Sequence, residues 1–195
     1  MGKIVYLMGK SSTGKDTLFK ELLKNNKFSY KTIVSYTTRP IREGERDGVE
    51  YHFVDEDGYR TLKDSGKVIE DRSYNTVHGV WRYFTADDGQ IDFNNNYITI
   101  GTLESYEKIK AYYGAERLIP VLIELDDGVR LERAINLEKK QAVPKYEELC
   151  RRFLADSADF SEDKILKAGI TVRFVNNDLN ECIAEIEQFI LREIN

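Results

Sequence analysis

The sequence predicts an α/β domain with a parallel sheet that helices cover on both faces. Short apolar runs typical of buried parallel strands, such as Ile4–Met8 and Ile119–Leu125, alternate with longer helical stretches. The first run leads into a glycine-bearing loop and then a helix, Thr17–Lys24. A chain of 195 residues is long enough for one such domain, or for a core with a small inserted lid.

The other elements follow from the same patterns. The further predicted strands are Thr32–Tyr36, Ile69–Val77, Trp81–Thr85, Tyr97–Ile100 and Thr171–Val175. The further predicted helices are Glu104–Tyr113, Asp127–Ala158 with an interruption near Val143-Pro144, and Leu179–Glu193. We expect a hairpin around His78-Gly79 and a loop over Arg39–Gly48.

Composition narrows the classes of function. The net charge of −5 argues against a general nucleic-acid binder, although local basic clusters can still bind small anions. No apolar run approaches the roughly 20 residues that a membrane span needs, and Met1-Gly2-Lys3 leads directly into a strand. Cys150 and Cys182 lack metal-ligand spacing and are expected to be reduced thiols. We therefore expect a cytoplasmic protein without nucleic-acid or membrane partners.

The segment "GKSSTGKD", Gly9–Asp16, has the spacing G-x-x-x-x-G-K of a phosphate-binding loop. Such a loop needs glycines because its backbone wraps closely around phosphate oxygens, while the lysine and the helix that follows supply positive charge. The alternative is a strand-to-helix turn that carries a lysine by chance. The residues predicted to bind ATP here are Gly9, Ser11, Ser12, Thr13, Gly14, Lys15, Asp16 and Thr17.

The position after the lysine usually carries a Ser or Thr that holds the metal. Here that position is Asp16, and Thr17 comes one residue later. We expect Asp16 and Thr17 to hold Mg²⁺ that accompanies ATP, directly or through water.

A second basic cluster lies in Ser35–Asp55, where Arg39, Arg42 and Arg46 precede Tyr51. The planar fork of arginine suits bidentate phosphate binding, and a tyrosine hydroxyl can add a neutral donor. A solvated charged loop is the alternative.

The string S-x-T-T-R-x-x-R-x-G-E-x-x-G-x-x-Y-x-F-V, which begins at Ser35, closely resembles the monophosphate-binding segment of guanylate kinases. The similarity extends through most of the chain in order. It also covers Gly9–Thr17, Ile69-Glu70, Leu131-Glu132-Arg133, Arg151-Arg152-Phe153 and Val175–Leu179.

The resemblance implies the fold of P-loop nucleoside-monophosphate kinases, with three parts. A core would comprise residues 1–34, 97–125 and 161–195, a β-rich GMP-binding subdomain residues 35–96, and a helical lid residues 126–160. It also implies transfer of the γ-phosphoryl group of ATP to GMP, with Mg²⁺ as cofactor, by a monomer or homodimer.

Roles for individual residues follow from the resemblance as well. Those implied to be catalytic are Lys15, Arg39, Arg133 and Arg152. Those implied to bind GMP are Ser35, Arg39, Arg42, Tyr51, Glu70, Tyr83 and Thr85. Glu70 would accept hydrogen bonds from the ring N–H and amine of guanine, Asn176 would lie on the adenine side, and the two lid arginines would approach the moving phosphoryl group. Arg133 could instead be a solvated helix residue.

Three departures from the family pattern stand out. The family follows its base-reading glutamate by nine residues with Tyr-Gly-Ser/Thr, whereas that position here is Gly79, flanked by His78 and Val80. A hairpin longer by two residues on each strand would keep every side chain on its face and place Tyr83 and Thr85 there instead. We favour Tyr83 and Thr85 over His78 and Val80.

The second and third departures concern acidic and lid residues. The family has Asp-x-Asp where this chain has Thr99 and Gly101, and Asp16 could replace part of the lost negative charge near magnesium. The usual Arg-Gly lid segment is absent, so Lys139 or Lys140 must supply any third lid cation.

These departures leave two alternatives to a guanylate kinase. One is a kinase of another nucleoside monophosphate or a related phosphorylated metabolite. The other is a catalytically weak binding module of guanylate-kinase type.

Overall fold

The computed structural model describes residues 1–25, 27–76 and 79–194. Its strands are β1 (Ile4–Met8), β2 (Lys31–Thr32), β3 (Tyr36–Thr37), β4 (His52–Phe53), β5 (Val68–Thr76), β6 (Gly79–Ala86), β7 (Tyr97–Ile100), β8 (Leu118–Glu124) and β9 (Arg173–Val175). Its α-helices are α1 (Lys15–Asn25), α2 (Glu56–Asp64), α3 (Leu103–Tyr113), α4 (Asp127–Glu138), α5 (Tyr146–Asp159), α6 (Glu162–Lys167) and α7 (Leu179–Ile194).

A parallel sheet in the order β2-β7-β1-β8-β9 forms the centre of the fold. Alternate residues of β1 point to opposite faces of this sheet, and all of them are buried. Val5 and Leu7 pack with residues of α1 and α7, whereas Ile4, Tyr6 and Met8 pack with residues of α3 and α6. The predicted α/β fold with helices on both faces is therefore confirmed.

The central position of β1 determines where the glycine loop lies. Parallel neighbours β7 and β8 flank β1, so the loop leaves the carboxyl edge of the sheet at its middle. Open α/β sheets bind ligands at this edge, because the connections of neighbouring strands diverge there and leave a crevice.

A second sheet, in the order β4-β3-β6-β5, stands beside the first. Its antiparallel pair β5 and β6 brings Glu70 opposite Thr85 and Arg72 opposite Tyr83. Its own small core contains Tyr59 of α2, Phe84 and Ala86.

Most predicted elements are confirmed within one or two residues at each end, but one predicted strand is wrong and two helices were missed. Thr32–Tyr36 is not one strand, because Lys31–Thr32 pairs with β7 and Tyr36–Thr37 pairs with β6 of the other sheet. Helices α2 and α6 were not predicted, since both are short and strongly charged. The final strand is Arg173–Val175, two residues shorter than expected.

The long predicted helical stretch is interrupted as expected. Helix α4 ends at Glu138 and α5 begins at Tyr146, with Pro144 between them. A proline disfavours helical geometry at the residue before it, which accounts for the break. None of the helices in the described parts of the chain is long and apolar enough to cross a membrane.

Candidate nucleotide-binding site

The loop after β1 requires glycine at both ends. A Cβ on Gly9 would lie 2.3 Å from the carbonyl oxygen of Ile123. Gly14 has φ +91°, and a Cβ there would lie 2.3 Å from Nδ2 of Asn176. Positive φ is strained for residues with a side chain. The two glycines of the G-x-x-x-x-G-K spacing therefore occupy the two positions of the loop that exclude a side chain.

Two polar side chains hold the loop in shape. Thr13 is buried, and its hydroxyl donates to the carbonyl of Lys10 at 2.9 Å. Asn176 is also buried and donates from Nδ2 to the carbonyl of Thr13 at 2.7 Å. Asn176 follows β9, and its backbone N–H donates to Glu124 of β8. The described contacts of Asn176 thus support the loop, while its predicted contact with ATP stays a prediction.

Helix α1 begins at the loop and presents three polar residues. Lys15 is half-buried, whereas Asp16 and Thr17 are exposed. Carboxylate and hydroxyl oxygens suit a partly hydrated Mg²⁺ that also binds substrate phosphates. Within the described residues no group of three His, Cys, Asp or Glu side chains could hold a metal. The donor set therefore fits Mg²⁺ that arrives with a nucleotide.

Arg130 ties helices α4 and α5 to the loop, and its sequence context did not reveal this. Its side chain is 1% exposed. Nε donates to the carbonyl of Ser11 at 2.9 Å, Nη2 donates to Asp156 of α5 at 3.1 Å, and Nη1 pairs with Asp127. Asp156 also accepts the backbone N–H of Ser11 at 2.7 Å. Helices α4 and α5 are therefore both anchored at the loop through Arg130.

The two lid arginines predicted to be catalytic have different surroundings. Nη1 of Arg133 lies 3.9 Å from the point where a Cβ on Gly14 would be, so this guanidinium reaches the loop. Arg152 has a side chain that is 51% exposed, and its Nε lies 3.8 Å from Glu148 on the same helix. Arg133 thus lies beside the glycine loop, whereas Arg152 lies on the exposed surface of α5.

Arg39, Tyr51 and Tyr83 form a compact cluster in the second sheet. The Arg39 guanidinium binds Glu45 at two points, with N–O distances of 2.7 and 2.6 Å. It lies 5.2 Å from the Tyr51 ring centroid and 5.3 Å from that of Phe53. The Tyr51 and Tyr83 rings meet edge to face at 5.6 Å.

Charge in this cluster is paired. The hydrogen bonds from Arg39 lower the pKa of Glu45 to about 2, so Glu45 is an anion at neutral pH. Burial is the largest cause that raises the pKa of the Tyr51 hydroxyl, which keeps it a neutral donor. The side chains of Arg42 and Arg46 are exposed nearby, and Arg42 donates its backbone N–H to Glu45.

A buried carboxylate lies at the other end of this sheet. Glu70 is 3% exposed, accepts the Thr85 hydroxyl at 2.9 Å on Oε1, and accepts Nε of Arg72 at 3.2 Å on Oε2. The Ser35 hydroxyl lies 3.5 Å from that of Thr85. Burial raises the pKa of Glu70, and Arg72 and Thr85 oppose that shift. Ser35, Glu70 and Thr85 therefore form one cluster that also includes Arg72, while their role in binding GMP stays a prediction.

The alternative pair for the monophosphate pocket is His78 and Val80, of which only Val80 is described. Val80 is 47% exposed near the hairpin end of β6, and His78 lies outside the described residues. Tyr83 contacts Tyr51 and Thr85 contacts Glu70, which favours the pair Tyr83 and Thr85. The role of this pair in binding stays a prediction.

The region that lacks the family's two aspartates is filled by a tyrosine. Thr99 is buried at the end of β7. The Tyr6 hydroxyl lies 1.8 Å from where a Cβ on Gly101 would be, and 2.8 Å from the Ser105 hydroxyl. Any side chain at residue 101 would therefore collide with Tyr6.

Comparisons with known proteins show similarity to guanylate kinases in sequence and fold. The family model described as guanylate kinase matches residues 1–80. Among curated proteins, the guanylate kinase of Mesomycoplasma hyopneumoniae strain J is 28% identical over 200 residues, covering 100% of this chain and 96% of that protein. The guanylate kinase of Mycobacterium tuberculosis is 29% identical, covering 98% of this chain and 88% of that protein.

The comparisons support the guanylate kinase family. One shorter match, to the guanylate kinase of Aromatoleum aromaticum, is 44% identical over 78 residues, 40% of this chain and 36% of that protein. The crystal structure of guanylate kinase from Anaplasma phagocytophilum has a TM-score of 0.65 at 22% identity, covering 100% of this chain and 87% of that chain. This chain thus has the fold of a guanylate kinase.

Proposed function

We propose that this protein is a guanylate kinase that transfers the γ-phosphoryl group of ATP to GMP and releases ADP and GDP. The observation that carries the proposal is the buried Glu70 carboxylate beside Ser35 and Thr85, within a fold that also has a phosphate-binding loop. Guanine presents two adjacent N–H donors that a carboxylate can accept, whereas adenine does not. The Ser35 hydroxyl can donate to the 6-oxo group.

ATP binds at the loop between β1 and α1. Backbone N–H groups and the positive end of α1 surround its phosphates, and Lys15 adds a point charge. Asp16 and Thr17 would supply oxygen donors to Mg²⁺ that comes with ATP, and the cation would neutralise phosphate charge. Arg133 already lies next to Gly14, where it can approach the transferred phosphoryl group.

The acceptor phosphate binds at the cluster of Arg39, Tyr51 and Tyr83. Glu45 and the carbonyl of Pro40 occupy three of the five Arg39 N–H donors, and the Tyr83 hydroxyl lies beside the remaining ones, where a phosphate could bind both side chains. Arg42 is exposed and can close over the phosphate. Glu45 therefore orients Arg39 without saturating it.

Catalysis on this arrangement needs no protein nucleophile. The chain contributes in-line positioning of the two substrates and cations around the moving phosphoryl group. Arg152 has to move from its place beside Glu148 to reach that group, so we propose that residues 126–160 act as a lid that closes on both substrates. The division into core, GMP-binding subdomain and lid, the cytoplasmic location and the state as monomer or homodimer stay predictions.

A coupled ADP-release assay tests the proposal. Mg-ATP is offered with GMP, dGMP, AMP, CMP or UMP, and Lys15→Ala is the matched control. We expect a strong preference for GMP and dGMP that the control loses. Preference for another acceptor would overturn the choice of GMP. Silence with every acceptor, with GMP still binding, would indicate a binding module.

A further inference from the structure

Arg72 is a cation inside the pocket that would receive the nucleobase. It stands two residues after Glu70 on β5, so both side chains lie on one face of the strand. Its side chain is 18% exposed, and that of Glu70 is 1% exposed. Burying a positive charge is costly unless it is paired, and Glu70 supplies the pair.

Arg72 keeps hydrogen-bond donors that the described residues do not use. Nε donates to Glu70 at 3.2 Å, and Nη1 donates to the Thr102 hydroxyl at a long 3.4 Å. A guanidinium has five N–H donors. Three of them therefore have no acceptor among the described residues, and the partial exposure of Arg72 leaves them open to a ligand.

The two sides of the Glu70 carboxylate differ chemically. Hydroxyls of Thr85 and Ser35 lie on the Oε1 side, and the Arg72 guanidinium lies on the Oε2 side. A 6-oxopurine that directs N1–H at the carboxylate places its 6-oxo group against the hydroxyls. Position 2 of the purine then faces Oε2 and Arg72.

The difference between the two sides of Glu70 determines which group at position 2 of the purine can form hydrogen bonds. A 2-amino group can donate to Oε2, but it meets the N–H groups of Arg72 donor to donor. A 2-oxo group has the opposite balance, since it repels Oε2 but accepts from Arg72. The residue-101 side offers no carboxylate to a 2-amino group, because Gly101 has no side chain and the neutral Tyr6 hydroxyl occupies that space.

We propose that Arg72 determines specificity at position 2 of the purine and admits a 2-oxo base, so that xanthosine monophosphate is an acceptor alongside GMP. The proposal deepens the proposed function and rests on it, because it places the acceptor base against Glu70. The relevant chemistry is a hydrogen bond from a charged donor to a carbonyl oxygen, which is stronger than one between neutral groups.

The test compares xanthosine, guanosine and inosine monophosphates in the wild-type protein and in Arg72→Ala. Inosine monophosphate has no substituent at position 2, so it serves as the internal reference. We expect the ratio of kcat/KM for xanthosine to inosine monophosphate to fall about tenfold in Arg72→Ala, the size typical of one charged hydrogen bond. The ratio for guanosine to inosine monophosphate should stay constant or rise. An unchanged xanthosine ratio would overturn the proposal.

Two further variants show whether a change in the ratios is specific to Arg72. Arg82→Ala is the matched control, because Arg82 lies on the neighbouring strand, is 26% exposed and pairs with Glu56 outside the pocket. It should leave both ratios unchanged, and a fall as large as in Arg72→Ala would overturn the proposal. If Arg72→Ala does not fold, Arg72→Lys retains the charge and removes the fork, and the xanthosine ratio should fall several-fold.

Calorimetric titration of the wild-type protein with the three monophosphates separates this inference from the proposed function. Phosphoryl transfer to GMP with no binding of xanthosine monophosphate would overturn the inference and leave the proposed function standing. Binding of both without transfer would overturn the function while supporting the role of Arg72. Binding of none of the three would overturn both.

Discussion

Replacing Arg130 by leucine should destabilise the protein by about 3 kcal/mol, because removal of one partner from a buried ion pair typically costs about 3–5 kcal/mol. Asp156, which is 18% exposed, loses its cation, and the Ser11 carbonyl loses a donor. Asp127 is 52% exposed, so water compensates most of its loss and the lower end of the range applies.

Urea unfolding of the wild type and Arg130→Leu gives this difference in the free energy of unfolding. Arg151→Leu is a matched control on the lid, because Arg151 is 61% exposed and pairs with Glu148 at the surface. The control should change stability by less than about 1 kcal/mol.

A double variant tests the reason for the effect. Adding Asp156→Asn to Arg130→Leu removes the uncompensated charge and keeps an oxygen for the Ser11 N–H, so it should recover part of the lost stability. A loss below about 1 kcal/mol in Arg130→Leu would refute the reasoning, since it would mean that Arg130 does not act as a buried anchor. A double variant less stable than the single one would refute it as well.

Three other predictions follow from the site. Arg39 holds the pKa of Glu45 at about 2, below its ordinary 4.5. The pair therefore contributes stability that is present above pH 4.5 and is lost as the pH falls towards 2. Unfolding curves of Glu45→Gln should show a weaker acid dependence across this window. Gly101→Ala should lower the melting temperature by several degrees, because its Cβ would lie 1.8 Å from the Tyr6 hydroxyl. The loss should be smaller in a Tyr6→Leu background, and equal losses in the two backgrounds would contradict the collision. Asp16→Ser should raise or lower the Mg²⁺ concentration needed for half-maximal activity, and an unchanged titration would show that Asp16 does not act near the metal.

The glycine loop and the arginine-tyrosine segment could be predicted because their information is local. The spacing of Gly9, Gly14 and Lys15 fixes a backbone geometry within a few residues, and the block from Ser35 to Val54 carries its motif in consecutive positions. The boundaries of β1 and α7 follow in the same way from hydrophobic patterns.

The residues that sequence reasoning missed act through long-range contacts. The Arg130 side chain reaches Ser11, which is 119 positions away, and Arg130 looks like an ordinary charged residue of a helix. Arg72 became notable only when the register of β5 placed it beside Glu70 in the pocket. The Tyr6 and Ser105 hydroxyls meet across 99 positions, so the sequence showed an absent aspartate at residue 101 but not what fills its place.

The identity of the phosphorylated product tests directly whether this protein transfers the γ-phosphoryl group of ATP to GMP. The protein is incubated with Mg-ATP and GMP, and the nucleotides are separated and identified by mass spectrometry over time. The account predicts that ADP and GDP appear in equal amounts and that Glu70→Gln slows GDP formation by about a hundredfold through loss of a charged acceptor. Release of ADP without GDP, or no reaction when both nucleotides bind, would contradict it.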